Sequence, residues 1–497
     1  MKNKNIIQPF FTCSLLTLSF FVSTAYAELK LPSGADRRPN LSVDPFERAR
    51  EAVRKLPKTK APEPAPDPTP EVAQPEATQS IAVQPGLSTE PTEQTTLPPT
   101  VVSSGNAESG EAFSYELAIT ADALSVTAGG IPEPDQDDVE QSKTGIFGVA
   151  DIIGEYDTGA AGLWNDGLFF VYAAIIFGKG PAVGDLHGTS NIYGGGDTFR
   201  IVEAWYEHSF PYSHSSIVLG IHDFNGEFYV SEYANLFMNG IFGMGQILNA
   251  GSDAGPSTYP VPTLGFRFKA ELSEQAYFQV AAYNASPSDE AFDKIIEAKL
   301  PSNDEVFLIT EFGMTNKEPG ESGYYKAGLG LWYFNINTSG FLVSGDEEAG
   351  TATYILGDES KSGNAGVYVF AEMSIGEKLG IFFKHGRGRQ EYNQYAQFYA
   401  AGLNYTGIIP GREEDVFGIG LVQTRHSSAY LDAFDGEFFA AETAFEITYT
   451  TNITDWLSVQ PDFQYIQQPS MGRLAPNDGK PLLPNSMVIG VRASASF

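Results

Sequence analysis

The last nine residues, Ile489-Gly490-Val491-Arg492-Ala493-Ser494-Ala495-Ser496-Phe497, alternate apolar with small or polar side chains up to a terminal aromatic. Successive side chains of a strand point to opposite faces, so Ile489, Val491, Ala493, Ala495 and Phe497 share one face and Arg492, Ser494 and Ser496 the other. The apolar face needs a cover. In a sandwich a second sheet provides it; in a membrane barrel lipid does, and the polar face then lines the lumen.

The N-terminus favours lipid. Lys2 and Lys4 precede an apolar run from Phe10 to Val22, and Ala25-Tyr26-Ala27 supplies small residues for signal cleavage, so residues 1–27 read as a signal peptide with the mature chain starting near Glu28. The only cysteine, Cys13, lies inside that segment, so the exported chain carries no thiolate metal site or disulfide. Losing Lys2 and Lys4 takes the formal charge from −32 to −34, which argues against a nucleic-acid partner. The longest later apolar run, Leu168 to Gly178, has 11 residues, whereas a spanning helix needs about 20. Strands need only alternate residues apolar, so a barrel accommodates this composition. The terminal Phe497 also resembles the signal read by the barrel-assembly machinery, which makes that machinery an expected partner, with outer-membrane lipid and lipopolysaccharide around the assembled chain.

Residues 28–111 have a different character. Ser42-Val43-Asp44-Pro45 can start a short helix with Phe46, Ala49, Val53 and Leu56 on one face and Arg48, Arg50, Arg54 and Lys55 on the other. From Pro57 to Pro99 there are eleven prolines among Glu, Thr, Ala and Gln, too little apolar surface to bury a core. This reads as a disordered periplasmic leader. Its basic helix either docks on a periplasmic or cell-wall partner or is simply solvated.

From residue 112 to 497 the pattern is all-β. Phe113, Tyr115, Leu117 and Ile119 alternate with Ser114, Glu116, Ala118 and Thr120. Similar segments recur near 146–154, 168–177, 199–208, 216–223, 264–270, 276–283, 305–312, 324–334, 366–373, 380–386, 395–405, 416–424, 440–449 and 457–466. With the last strand they number sixteen, which predicts a transmembrane antiparallel β-barrel of about 16 strands, fourteen or eighteen remaining open. The connection from Asn225 to Pro262 is long, yet it holds Phe228, Tyr229, Tyr233, Leu236, Phe237, Met238, Ile241 and Phe242. Such a loop is too apolar for water, and folding into the lumen would bury it and narrow the pore. The alternative is an extra lipid-facing hairpin.

Faces follow if the apolar set meets lipid. Val202, Ala204 and Tyr206 then point outward and Glu203, Trp205 and Glu207 inward. Arg200 falls on the outward set, so it must lie beyond the apolar band or the strand must bulge. Arg267 and Lys269 face inward opposite Leu264, Phe266 and Phe268; Ser458, Gln460, Asp462 and Gln464 face inward opposite Leu457, Val459, Phe463 and Tyr465; Tyr277, Gln279 and Tyr283 join the inner wall.

Catalytic and cofactor readings find no support. The six histidines form no helical metal pair, and no nucleophile elbow or complete phosphate loop occurs. The acidic run Glu133-Pro134-Asp135-Gln136-Asp137-Asp138 lacks the glycine and closing glutamate of a calcium loop. No catalytic residue, metal or cofactor is therefore assigned.

A family resemblance adds what periodicity cannot. Leu163-Trp164-Asn165-Asp166-Gly167-Leu168-Phe169-Phe170-Val171-Tyr172-Ala173, then Gly184-Asp185-Leu186-His187-Gly188-Thr189-Ser190-Asn191-Ile192, resembles the first half of the carbohydrate-selective porins of the OprB family. Further matches follow in order: Glu203-Ala204-Trp205-Tyr206-Glu207, Glu227 to Ala234 with Phe237 to Gly243, Tyr259-Pro260 before Gly265-Phe266-Arg267, Gly402-Leu403-Asn404-Tyr405 with Pro410 to Asp415, and Gln460 to Ile466. The resemblance covers about 145–497. It implies a sixteen-stranded outer-membrane barrel of a Gram-negative bacterium that passes sugars down their gradient; the number of subunits, homotrimer or monomer, stays open. Sugar hydroxyls donate and accept while their C–H faces stack on aromatics, so Glu203, Trp205, Glu207, Arg267, Lys269, Tyr277, Gln460, Asp462, Gln464 and Arg492 become candidate sugar contacts. Glu227, Glu232, Tyr233 and Asn239 become the candidate constriction. The alternatives are a general diffusion porin for small hydrophilic solutes and an envelope-anchoring barrel.

Overall fold

The computed structural model describes residues 112–131, 142–192, 197–249, 255–285, 295–296, 306–335, 341–346, 351–356, 363–390, 392–433, 437–472 and 481–497. The expected signal, basic helix, proline-rich leader and acidic turn lie outside these residues. Nine strands form the first half of the order: β1 Phe113–Ala128, β2 Thr144–Asp157, β3 Gly167–Lys179, β4 Thr198–Phe210, β5 Ser215–His222, β6 Thr263–Ser273, β7 Ala276–Asn284, β8 Val306–Thr315 and β9 Tyr325–Asn335. A separate hairpin, β10 Phe341–Asp346 with β11 Thr351–Leu356, precedes β12 Asn364–Ile375, β13 Leu379–Gly388, β14 Tyr395–Thr406, β15 Val416–His426, β16 Ala441–Thr454, β17 Leu457–Gln467 and β18 Ser486–Ser496.

All strands except the β10–β11 hairpin close into one antiparallel barrel of sixteen, β9 pairing with β12 and β1 with β18. Closure matters because an open edge in lipid would leave a row of unpaired backbone groups. At the seam Ala118 pairs with Ser496 and Asp122 with Arg492. Phe497 extends the seam, exchanging backbone hydrogen bonds with Leu117, and its ring stacks on Trp456 at 6.1 Å. All sixteen segments expected from alternation are strands of the barrel.

Connections alternate between the two ends of the barrel, and at one end all but 389–394 are longer than any at the other. One end has 158–166, 211–214, 274–275, 316–324, 376–378, 407–415 and 455–456, together with the start of β1 and end of β18; the other has 129–143, 180–197, 223–262, 285–305, 336–363, 389–394, 427–440 and 468–485. Short turns face the periplasm in such barrels and long loops the exterior.

The lipid face is apolar where expected: Phe113, Tyr115, Leu117, Ile119, Phe266, Ile489 and Val491 are all exposed, while Arg267, Gln460, Gln464 and Arg492 are buried inward. One outward expectation fails. In β4 Glu203 pairs with Tyr172 and Ile201 with Ala173, leaving Val202 as the extra residue of a β-bulge. Val202 is therefore buried rather than lipid-facing, and the bulge turns Arg200 into the lumen, where its Nε donates to the carbonyl of Pro260 at 3.0 Å.

The connection 223–262 folds into the barrel. Phe224, Phe228, Tyr229, Phe237, Met238, Ile241, Phe242, Ile247 and Leu248 form one apolar cluster with wall residues such as Phe307, Tyr368, Phe382 and Phe398. Wall glycines make room for it. A Cβ at Gly380 would come within 2.4 Å of the Tyr233 ring, and one at Gly420 within 2.6 Å of Phe242. Where these strands meet the loop's apolar side chains they are apolar on both faces, one toward lipid and one toward the loop.

Candidate functional site

A chain folded back into a lumen carries backbone N–H groups that no sheet satisfies, and each one buried without a partner costs about 1–3 kcal/mol. Carboxylates on the wall meet this demand. On β8, Glu311 accepts from the Tyr229 N–H at 2.8 Å and from the hydroxyls of Tyr277 at 2.8 Å and Tyr368 at 2.7 Å. On β12, Glu372 accepts from the Glu232 and Tyr233 N–H groups, both at 3.2 Å, from the Ser231 hydroxyl at 2.6 Å and from the Tyr324 hydroxyl at 2.5 Å. On β16, Glu446 accepts from Met238 and Asn239 N–H at 2.6 and 3.0 Å, while Glu442 accepts from Leu186 and His187 N–H of the connection 180–197. Lys384 on β13 does the converse, donating to the carbonyls of Tyr229, Phe242 and Gly243.

A second group of charges lies where the inserted loop leaves the wall. The Arg267 guanidinium on β6 donates to Glu227 of the loop at 2.8 and 3.0 Å, to Glu207 of β4 at 2.9 Å and to Ser216 of β5 at 2.5 Å. Burial works to raise the Glu227 carboxyl, but Arg267, with His222 at 3.2 Å, outweighs it and holds that group well below the usual carboxylate range. Beside this ion pair, Trp205 stacks on Phe170 with ring centroids 4.6 Å apart and donates its indole N–H to Glu203 at 3.1 Å. Glu203 also accepts from the backbone N–H of Asp223, at the loop's start. Lys269 sits over the Tyr277 ring at 5.4 Å. Glu203, Trp205, Glu207, Lys269 and Tyr277 are only partly buried.

The fourteen residues singled out from sequence thus separate by environment. Glu203, Trp205, Glu207, Arg267, Lys269, Tyr277 and Glu227 come together at the loop's root. Glu232 pairs with Lys326 at 2.8 Å, and Tyr233 hydrogen-bonds Ser374 at 2.5 Å, farther along the loop. Asn239, Gln460 and Gln464 spend their amides on loop anchoring: Asn239 donates to Gln464 at 3.1 Å, Gln460 to the Leu236 carbonyl at 2.7 Å, and Gln464 to the Thr189 carbonyl at 2.8 Å. Asp462 accepts from Gln464 at 2.9 Å. Arg492 is fully buried, paired with Asp122 at 2.8 Å and bonded to Asn191 of the connection 180–197. Sequence reasoning missed Glu311, Glu372, Glu442, Glu446 and Lys384. Their only signal is a charged residue amid apolar neighbours on an inward position, as in Ile309-Thr310-Glu311-Phe312.

The sequence of residues 155–497 matches the family model described as carbohydrate-selective porin, OprB family. The chain belongs to that family. It is 22% identical over 353 residues to Porin B of Pseudomonas aeruginosa, covering 64% of this chain and 72% of the relative. The high-pH structure of Pseudomonas putida OprB shares the fold, with a TM-score of 0.64 at 17% identity, covering 78% of this chain and 94% of that one. Membership places this OprB-family porin in the outer membrane of a Gram-negative cell as a carbohydrate channel.

Proposed function

We propose that this porin passes mono- or small oligosaccharides passively and selectively, with no covalent step, and that its selectivity resides at the root of the inserted loop. The observation that carries the reading is the partly buried cluster of Trp205, Glu203, Glu207, Lys269 and Tyr277 against the Arg267–Glu227 pair. An aromatic ring fixed by Phe170 behind it and Glu203 at its edge offers an apolar platform of the kind a sugar C–H face covers. Carboxylates, an ammonium and a phenol around it exchange with sugar hydroxyls as acceptors and donors. Arg267 acts indirectly, since its N–H groups are already engaged by Glu207, Glu227 and Ser216. Gln460, Asp462, Gln464, Arg492 and Asn239 hold the inserted connections and so set the width of the passage rather than touch its cargo.

In the same reading residues 1–27 direct export and 28–111 form a periplasmic spacer. Single-channel current in a planar bilayer, titrated with mono- and disaccharides, tests the function. Sugar should reduce the current saturably; a channel indifferent to every sugar at tens of millimolar is a general diffusion porin instead.

A further inference from the structure

Register aligns the outward side chains of β13 to β16 into rows across the barrel wall. Phe383, Ala401, Leu421 and Phe445 pair as one row, apolar as a lipid face requires. The next row toward the extracellular end is His385, Tyr399, Gln423 and Thr443, and beyond it stands Arg387, Gln397, Arg425 and Ala441. Their strand neighbours Lys384, Phe398, Thr424 and Glu442 are buried, which fixes both rows on the lipid side. By contrast, Leu308 on β8 and Met487 on β18, exposed near the same end, are apolar. Polar groups are costly in hydrocarbon, so the change from apolar to polar within one row marks the headgroup level of the outer leaflet on this side of the barrel.

The two polar rows are arranged to donate. Gln423 Oε1 accepts from Arg425 at 3.2 Å, and Gln423 Nε2 donates to Thr443 Oγ1 at 2.9 Å. Gln397 Oε1 accepts from the Tyr399 hydroxyl at 2.9 Å, and the Tyr399 ring stacks on His385 at 4.5 Å. The amide acceptors are thus used within the rows. What remains is the Gln397 amide NH₂ and most of the exposed Arg425 fork, whose bond to Gln423 is its only one among the described residues. No carboxylate holds an outward position on these four strands. The other described arginines of the barrel strands, Arg200, Arg267 and Arg492, turn inward. Strand spacing sets Arg387 and Arg425 about 10 Å apart across Gln397, a gap that two arginine side chains close around one ligand.

A cationic, donating patch at headgroup level selects an anionic acceptor carried by a lipid. We infer that this patch binds a phosphate of lipid A, the anchor of lipopolysaccharide in the outer leaflet. Arg425 and Arg387 grip the phosphate oxygens, Gln397 donates between them, and the acyl chains lie along the apolar row of Phe383 and Leu421. The site is independent of the sugar passage, from which the barrel wall separates it.

The test is native mass spectrometry of the full assembled porin in detergent, titrated with diphosphoryl lipid A and with the same lipid stripped of its phosphates. Arg425→Gln should weaken binding of diphosphoryl lipid A about ten-fold, the loss expected for hydrogen bonds to a charged group. Arg387→Gln added to it should weaken binding further, and Arg425→Lys, which keeps the charge but not the fork, should fall between wild type and Arg425→Gln. The dephosphorylated lipid should bind wild type and variants alike, at the weaker level. Both side chains lie outside the barrel, so the variants should stay heat-modifiable like wild type. Equal affinity of the wild type for the two lipids, or unchanged affinity in the double variant, would overturn the site. Complete displacement of lipid A by millimolar inorganic phosphate would also overturn it, since the patch would then hold a free anion rather than a lipid.

Discussion

Replacing Glu372 by alanine should free the stretch of the inserted loop around residues 231–233. The wild-type carboxylate gathers four donors: the Ser231 and Tyr324 hydroxyls and the N–H groups of Glu232 and Tyr233. Three of these donors belong to the loop, and at about 1 kcal/mol each, the lower end for a buried unsatisfied donor, the loss is about 3 kcal/mol, or roughly 150-fold in the local closed-to-open ratio. Glu372→Gln keeps one acceptor oxygen but turns an NH₂ toward the remaining donors, and should fall between. Glu311 and Glu446 still hold the loop on either side through Tyr229 and through Met238 and Asn239, so the opening stays local and the barrel stays assembled. Hydrogen exchange read by mass spectrometry reports it directly. Amides 232 and 233 should lose protection in Glu372→Ala while those of 238 and 239 keep theirs, and single-channel traces should gain a noisier, larger conductance state. Unaltered protection at 232 and 233 would refute the view that wall carboxylates clamp the loop.

Four further outcomes follow from the same structure. Trp205→Ala should weaken sugar block about 5- to 150-fold, by analogy with the about 1–3 kcal/mol lost when a base loses its aromatic stacking partner, with ion conductance equal or higher in sugar-titrated recordings. Arg267→Ala leaves the Glu207 and Glu227 carboxylates without their guanidinium, so reversal potentials in a salt gradient should shift toward cations, and the loop's root should lose about 3–5 kcal/mol of anchoring. Deleting Phe497, or Phe497→Asp, removes the seam bonds to Leu117 and the stack on Trp456, so less heat-modifiable barrel should reach the outer membrane; wild-type yield would count against the role assigned to this residue. Removing Leu29 to Thr100 while keeping the signal should leave conductance intact, and a loss would mean that the leader gates the pore.

Alternation revealed the strands and their faces wherever one side meets lipid and the other water, as in β18 and β17. It said least where the inserted loop replaces water. In β8 both Phe307 and Leu308 are large and apolar, the first buried against the loop and the second exposed to lipid, so the period-2 signal fades although the strand is regular. The second half of β1 escaped for a related reason. Beyond Thr120 its lipid side carries small residues, Ala121 and Ala123, while Leu124 and Val126 turn inward to the core cluster, reversing the pattern that identifies its first half. The inward loop itself was legible from its own composition. Its anchors were not, because a glutamate that binds backbone N–H groups and one that faces water look the same in sequence.

That distinction decides what the acidic composition means for transport. A formal charge of −32 would suggest a cation channel if the acids lined the passage. Yet Glu311, Glu372, Glu442 and Glu446 are all buried, each committed to N–H or O–H donors of the inserted connections, while Asp122 is closed off by Arg492. Nearer the passage, Glu207 and Glu227 share Arg267, and Glu232 is matched by Lys326. Fixed charge acts on a permeating ion only where it is neither compensated nor screened. The buried carboxylates of this barrel are therefore spent on shaping a constriction, and those nearer the passage are met by Arg267, Lys326 or N–H donors, which leaves a surface rich in hydrogen-bonding groups of the kind a sugar engages.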